Sequence, residues 1–258
     1  MDTRFQRHID ACNTAVLPGE RLAFRLGDHP VGWVARGFGE ALRRFDAIVV
    51  ADDHVSLTDA TQLHDIGRAL AYEGCYRHRA EAFDVRAAPD GPSLATLDRG
   101  ALPSFGVLAE GVHVNGLVRR SDGLHLWVAR RAADKLLDPG KLDHLAAGGV
   151  SAGMTAWETL AKEAEEEAAL PGHLAARAVH VASIDYAMER PEGLRRDRLQ
   201  CYDIDLPEDF VPLAADGEVA AFELWPIMRA VETVRDTDDF KFNVNLVLID
   251  LFSRLKLI

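Results

Sequence analysis

The chain has 258 residues, room for one large domain or two modest ones around a sizeable core. Hydrophobic residues make up 48% and charged residues 27%, an ordinary globular balance. With 29 Lys plus Arg against 41 Asp plus Glu, the formal charge is −12. That charge argues against general binding to nucleic acid or anionic membrane, while a bound divalent cation would still admit a phosphate ligand.

The first segment, Thr3 to about Ala15, reads as a helix stopped by Pro18 and Gly19. Two strands are expected at Arg21–Leu26 and Val31–Ala35, joined by a turn at Gly27-Asp28-His29-Pro30. A helix at Gly39–Phe45, a strand at Ala47–Val50, a helix at Thr58–Glu73 and a strand at Ala82–Arg86 follow. Pro89, Gly91 and Pro92 make Ala87–Ser93 the best linker, and a domain boundary is expected between there and Phe105. Val112–Arg119 and Leu124–Arg130 then read as a hairpin around Ser121-Asp122-Gly123. Pro139, Gly140 and the pair Gly148-Gly149 mark loops. A helix at Thr155–Ala169, strands at Arg177–Ala187, Arg198–Ile204 and Val219–Leu224, and helices near Pro226–Arg235 and Phe242–Leu255 complete an α+β pattern. Cys12, Cys75 and Cys201 are isolated, which indicates neither a disulfide framework nor a zinc site and suits reduced thiols. The polar N-terminus lacks the hydrophobic region of a signal peptide, and no apolar run is long enough to span a bilayer, so the cytoplasm is the expected compartment.

The informative segment is GGVSAGMTAWETLAKEAEEEAAL, Gly148 to Leu170. Thr155 and Glu158 form a T-x-x-E capping box, so the helix should start at Thr155. Trp157, Leu160, Ala161, Ala164 and Ala168 fall on one face, expected to pack on a sheet. At roughly 100° per residue, Glu163, Glu166 and Glu167 share an arc of about 100° beside that face, and Glu165 points elsewhere. Carboxylates that converge next to a core repel one another, and a hard divalent cation with oxygen ligands resolves the conflict. Taken alone, the run reads first as a solvated acidic face, since charge runs usually are that.

This segment resembles the Nudix box, G-x5-E-x7-R-E-U-x-E-E-x-G-U with U apolar. Aligned at Gly148, Glu163, Glu166 and Glu167 match the metal-site acids, while Met154, Lys162 and Ala169 stand where the pattern has Glu, Arg and Gly. Lys162 keeps the charge but lacks the guanidinium fork. GVHVNGLVRR, LHLWVARRAADKLLDPGKLDHLAAGG, KEAEEEA and FNVNLVLIDLFSR resemble one subgroup, the Nudix proteins related in sequence to thiamine pyrophosphokinase. PVGWVARGFGEALRRF and RHRAEAFDV resemble that subgroup's extra N-terminal domain. In that subgroup a Leu or similar residue often replaces the first box Glu, which accommodates Met154.

The resemblance implies an N-terminal α+β accessory domain over 1–104, then a Nudix α/β/α sandwich with a mixed sheet over 105–258. It implies hydrolysis of a phosphoanhydride in a small organic diphosphate to a monophosphate and inorganic phosphate, with thiamine diphosphate or its oxidised analogues as substrate. Magnesium, or manganese in its place, would be held by Glu163, Glu166, Glu167 and the carbonyl of Ala147. Glu218 is a candidate general base or metal ligand, or else a solvent-facing loop acid, and Lys162 would orient the acids or the phosphate. Arg130, Arg131, Lys135 and Lys141 either recognise phosphate or are solvated; Arg130, Lys135 and Arg79 are the candidate substrate contacts, with an Arg79–Glu81 ion pair as the alternative for Arg79. His113 and Asn115 share a strand face, with a structural role expected for His113. Trp33, Trp127 and Trp157 suit a core better than ring stacking. A hydrolase for nucleoside-diphosphate-linked compounds and a non-catalytic Nudix binding module are the rival readings. No cysteine lies in an active-site segment, as a prenyl diphosphate isomerase of this fold would need.

Overall fold

A computed structural model describes residues 2–135, 137–214 and 217–258. Helix α1 (Thr3–Cys12) is capped by Asp2, whose carboxylate accepts the Arg4 N–H at 2.9 Å. Next come β1 (Leu22–Leu26), β2 (His29–Val34), α2 (Arg36–Leu42), β3 (Ile48–Val50), β4 (His54–Leu57), α3 (Leu63–Tyr72), β5 (Ala82–Val85), β6 (Ala95–Asp98) and the single turn α4 (Leu102–Phe105). Strands β2-β1-β4-β3 form one sheet, with β1 and β4 parallel, and β5-β6 form a separate ribbon. Leu22, Phe24 and Leu26 alternate inward along β1 and meet Leu57, Leu63, Leu97 and Phe105 in one core.

Several expected boundaries move. The Asp59 side chain caps a 3-10 turn at Ala60–Gln62, so α3 starts at Leu63 and not at Thr58. Strands β4 and β6 have four residues each, too short a period for the sequence to reveal them; they pair with β1 and β5. Helix α2 starts three residues before the expected Gly39.

The second unit holds β7 (Leu108–Arg120), β8 (Gly123–Arg131), β9 (Leu142–Asp143), β10 (Ala146–Gly149), α5 (Ala156–Ala168), α6 (Gly172–Ala175), β11 (Val179–Arg190), β12 (Gly193–Leu206), β13 (Val219–Pro226), α7 (Ile227–Asp236) and α8 (Val244–Arg254). The sheet runs β11-β12-β7-β8-β13, and only its β12–β7 pair is parallel, so it is mixed. One edge of β7 is shared: its first half pairs with β10 and its second half with β8. Val112, Val114 and Val118 point to the side covered by α5, where they meet Leu160, Ala164 and Ala168. Leu117 points to the other side, with Leu126, Val128, Val231, Leu248 and Phe252 beneath α7 and α8. The result is the expected α/β/α sandwich behind an α+β N-terminal part. Among the described residues, no helix is long and apolar enough to cross a membrane.

Helix α1 packs on this second unit and not on the N-terminal core. Phe5 lies among the α7–α8 residues, Cys12 joins the α8–β11 cluster, and Arg4 and Arg7 pair with Asp236 and Asp238. The buried His8 ring meets the Val234 carbonyl at 2.7 Å. The chain therefore begins in the sandwich, builds the N-terminal core, and returns.

Candidate active site

Helix α5 carries the acids. The Thr155 hydroxyl accepts the Glu158 N–H at 3.1 Å, and the Glu158 carboxylate accepts the Thr155 N–H at 2.8 Å, the reciprocal capping box the sequence predicts. The buried stripe starts at Thr159 and Leu160, so Trp157, one turn earlier, stays 42% exposed and is not the core residue expected of it. Glu167 is buried, Glu163 half-buried, and Glu165 and Glu166 exposed. At the helix end Ala169 adopts a left-handed φ of 51°, and the Leu170 N–H reaches back to the Ala164 carbonyl at 3.0 Å. A glycine would meet that geometry without strain.

Gly148-Gly149, expected as a loop, belongs to β10. The pairing Gly148↔Val112 and Gly149↔Gly111 holds both glycines in a strand whose neighbours approach too closely for a Cβ. A Cβ on Gly148 would sit 2.3 Å from the Glu163 carboxyl carbon, and one on Gly149 would sit 2.5 Å from the Phe83 ring. The Glu167 carboxylate accepts the backbone N–H of Ala147 at 2.8 Å. Two acids of α5 thus close on two consecutive residues of β10.

The electrostatics of this cradle are those of an anionic cluster. Burial, followed by the fields of Asp143, Glu163 and Glu218, pushes the Glu167 carboxyl up to about 8 against the lowering effect of the Ala147 N–H. Burial also raises Glu163, with Glu166 and Glu218 adding to the rise and Lys162 opposing it. Lys162 lies 2.8 Å from Glu166 and 3.1 Å from Glu163, a single cation bridging two acids of one helix. Glu218, immediately before β13, adds to the negative field at both Glu163 and Glu167. Lys135 forms an ion pair with it. Met154, where the box has its first Glu, is half-buried and packs into the α5 core.

The other predicted contacts are distributed less tightly. Arg130 is exposed and donates to the Gly140 carbonyl at 3.1 Å; Arg131 turns inward to Asp143 at 2.7 Å; Lys141 donates to the Asp238 carbonyl. Lys135 reaches the site through Glu218. Arg79 is exposed, and its backbone N–H, not its side chain, binds Asp98. Glu81 pairs with Arg99 and not with Arg79.

Two further features depend on contacts between distant segments. The first is a clamp on the box loop by β5 and the residue before it. The Ala82 carbonyl accepts the Ala152 N–H at 2.7 Å, Asp84 accepts the Gly153 N–H at 3.0 Å, and Glu81 accepts the Ser151 hydroxyl at 3.1 Å. The second is a buried cluster of His113, Asp143 and His144, whose ligand-type atoms lie within 4.8 Å of one another. The two histidines meet through their Nδ1 atoms at 3.0 Å, and burial lowers both, His113 well below its usual range and His144 to about 4. Burial would raise Asp143, yet Lys241, His144 and Arg131 hold it far below the usual carboxylate range. Arg131 and Lys241 already balance that one carboxylate, so the charge of this cluster is matched by the protein itself. His113, for which a structural role is expected, is buried, and Asn115, two residues on, donates to Asp203 at 2.9 Å.

A mixed sheet between helices, with a carboxylate-bearing helix docked on a glycine strand, defines a Nudix-type hydrolase. Residues 110–245 match the NUDIX domain and residues 4–109 a domain of unknown function, DUF4743. The chain belongs to the Nudix hydrolase family. It is 36% identical over 269 residues to Nudix hydrolase 24, chloroplastic, of Arabidopsis thaliana, a match spanning 99% of this chain and 74% of that protein. To Nudix hydrolase 20, chloroplastic, of the same plant it is 35% identical over 272 residues, 98% of this chain and 73% of that one. The crystal structure of DR0079 from Deinococcus radiodurans has the same fold, with a TM-score of 0.50 at 21% identity over 67% of this chain and 98% of that one.

Proposed function

We propose that this hydrolase cleaves a phosphoanhydride in a small organic diphosphate and releases a monophosphate, with a divalent cation, magnesium or manganese, held by Glu163, Glu166 and Glu167. One observation carries the reading: Glu163 and Glu167 close on β10 within the field of Glu218, a concentration of acid that burial alone makes costly. The donor set is all oxygen, which fits a hard cation. The carbonyl of Ala147 is a further oxygen donor of the right chemistry, next to an N–H already engaged by Glu167. When bound, such a cation neutralises diphosphate charge and makes water more acidic.

The chain's own residues account for the rest. Glu218, oriented by Lys135, takes the proton of the attacking water. The water oxygen bonds to one phosphorus, the bridging P–O bond breaks, and the departing phosphate leaves with the bridging oxygen. Lys162 keeps Glu163 and Glu166 in register on the helix. The β5 clamp fixes the box loop through Ser151, Ala152 and Gly153.

Thiamine diphosphate and its oxidised analogues are the substrates we favour, on the resemblance of segments such as GVHVNGLVRR and FNVNLVLIDLFSR to the thiamine-pyrophosphokinase-related subgroup. The test is a magnesium-dependent hydrolysis screen with thiamine diphosphate, its oxo analogues, nucleotide sugars and dinucleotides. The highest specificity constant is expected for a thiamine compound. A dinucleotide or nucleotide sugar in first place would remove the subgroup assignment and leave the general reaction standing.

A further inference from the structure

A cavity of about 600 Å³ opens between the N-terminal unit and the sheet of the sandwich, within the range of small-molecule sites. Trp33 of β2 and Phe83 of β5 line it from the N-terminal side; Glu110 of β7, Arg196 and Arg198 of β12 and Val150 after β10 line it from the sheet. Its position follows from strand register. Arg196 lies opposite Leu108 and Arg198 opposite Glu110, in an unbroken ladder that continues to Tyr202, opposite Val114. Alternation therefore puts Arg196, Arg198 and Glu110 on the same face of the sheet as Val112, Val114 and Tyr202, the face on which α5 packs. Gly148, against which Glu163 lies, is paired with Val112. The cavity's β7 residues, Leu108 and Glu110, lie two and four residues before Val112, about 7 to 13 Å along the strand from the cradle at strand rise. Phe83, which lines the cavity, packs close enough to Gly149, the residue after Gly148, that a Cβ there would sit 2.5 Å from its ring.

The wall chemistry is selective. Asp84 and Arg86 neutralise each other at 2.7 Å, and Asp185 holds Arg198 with two bonds of 2.6 and 2.7 Å. Arg196 is different. It is half-buried, donates to the neutral carbonyl of Gly106 at 3.0 Å, and has no carboxylate at ion-pair distance among the described residues. A guanidinium carries five N–H donors, and this one lines the cavity with one side-chain hydrogen bond among the described residues. Two aromatic rings and a cation without a matched anion suit a flat ring that bears a hydrogen-bond acceptor.

We propose that this cavity is the specificity pocket, taking the heteroaromatic group of the diphosphate against Trp33 and Phe83, with a ring acceptor on Arg196. The proposal rests on the diphosphate-hydrolase reading and adds the class of group the substrate carries and the residues that select it. It assigns the N-terminal unit a direct part in recognition.

The test is calorimetric binding to the whole chain of three ring-bearing monophosphates: thiamine monophosphate, its oxo analogue and adenosine monophosphate. Ribose 5-phosphate is the ring-free probe. At least one ring-bearing probe should bind more tightly than ribose 5-phosphate, and Trp33→Ala and Arg196→Gln should each weaken it about tenfold or more. Trp33→Phe and Arg196→Lys, which keep a ring and a charge, should fall between and guard against loss of fold, followed by melting. Glu167→Gln should retain probe binding while losing hydrolysis, so a failed reaction and a failed pocket give different results. Unchanged probe affinity in both Trp33→Ala and Arg196→Gln, or ring-bearing probes no tighter than ribose 5-phosphate, would overturn the proposal.

Discussion

The carboxylate of Glu167 sits 2.8 Å from the backbone nitrogen of Ala147, across a gap of twenty residues that the chain crosses by leaving β10 and entering α5. This bond joins the acid helix to the strand that pairs with β7, and places the most buried acid of α5 where its charge is least tolerated without a cation.

Glu167→Gln keeps the size and most of the hydrogen bonding but removes a charge that a divalent cation needs. Hydrolysis should fall by roughly two orders of magnitude or more, the scale of losing electrostatic transition-state stabilisation. Glu165→Gln, on the exposed side of the same helix, should change little. Rates measured against magnesium concentration decide the point; equal damage from both variants would return the acidic run to a solvated face.

The same residue predicts a pH dependence. The unfolded chain releases the Glu167 proton near 4.5, and the metal-free folded chain holds it up to about 8. Between those values the folded state binds the extra proton, so this group's contribution to stability falls as pH rises. Metal-free Glu167→Gln should therefore match the parent near pH 5 and melt at a higher temperature near pH 8. Added magnesium should close that gap by stabilising the parent alone. A difference that shrinks with rising pH would contradict the burial of this carboxyl.

Gly148→Ala tests the cradle from the strand side. The new Cβ would fall 2.3 Å from the Glu163 carboxyl carbon, so Glu163 must swing away. Hydrolysis should drop by at least tenfold, with far smaller change in the ring-probe affinity, since the cavity lies further along β7. Activity within twofold of the parent would show that Glu163 does not need this position.

Ala169→Gly should raise stability by about 0.5–1 kcal/mol, because Ala169 holds a left-handed φ of 51° that costs a residue with a Cβ and costs glycine almost nothing. Chemical denaturation measures it directly. A loss of stability would mean that the entropy of the unfolded glycine outweighs the relieved strain.

Phe5→Ala should destabilise the sandwich by about 3–5 kcal/mol, the usual cost of removing a buried phenyl ring. Phe5 is 3% exposed among α7 and α8 residues, although it precedes the N-terminal core by some seventeen positions in the chain. For the same reason a chain starting at Leu102 would lose α1 together with the N-terminal core. Point substitutions in the cavity are the cleaner probe of recognition. Unfolding confined to the N-terminal core in Phe5→Ala, seen by hydrogen exchange, would contradict this packing.

What the sequence determined by itself is local. The capping box, the stripe Leu160, Ala164 and Ala168, and the spacing of Glu163, Glu166 and Glu167 are set within one helix of thirteen residues and its N-cap Thr155, where 3.6-residue periodicity fixes which side chains share a face. The β7–β8 hairpin is legible for the same reason, its turn and alternation being adjacent in the chain. Tertiary structure decided everything that depends on partners far apart in sequence. Gly148-Gly149 reads as a loop because glycine disfavours strands, and becomes β10 only because β7, Glu163 and Phe83 need a backbone without side chains there. Trp157 matches the core period but lies a turn before the buried stripe. Glu218 contributes to the field at the acids, though more than fifty residues from them in the chain, because β13 after it pairs with β8. The β5 clamp spans about seventy residues, and the Arg196 cavity wall comes from a parallel pairing of β12 with β7 across eighty-eight. No period or spacing encodes such contacts; they exist because burying apolar faces on both sides of one sheet brings these segments together.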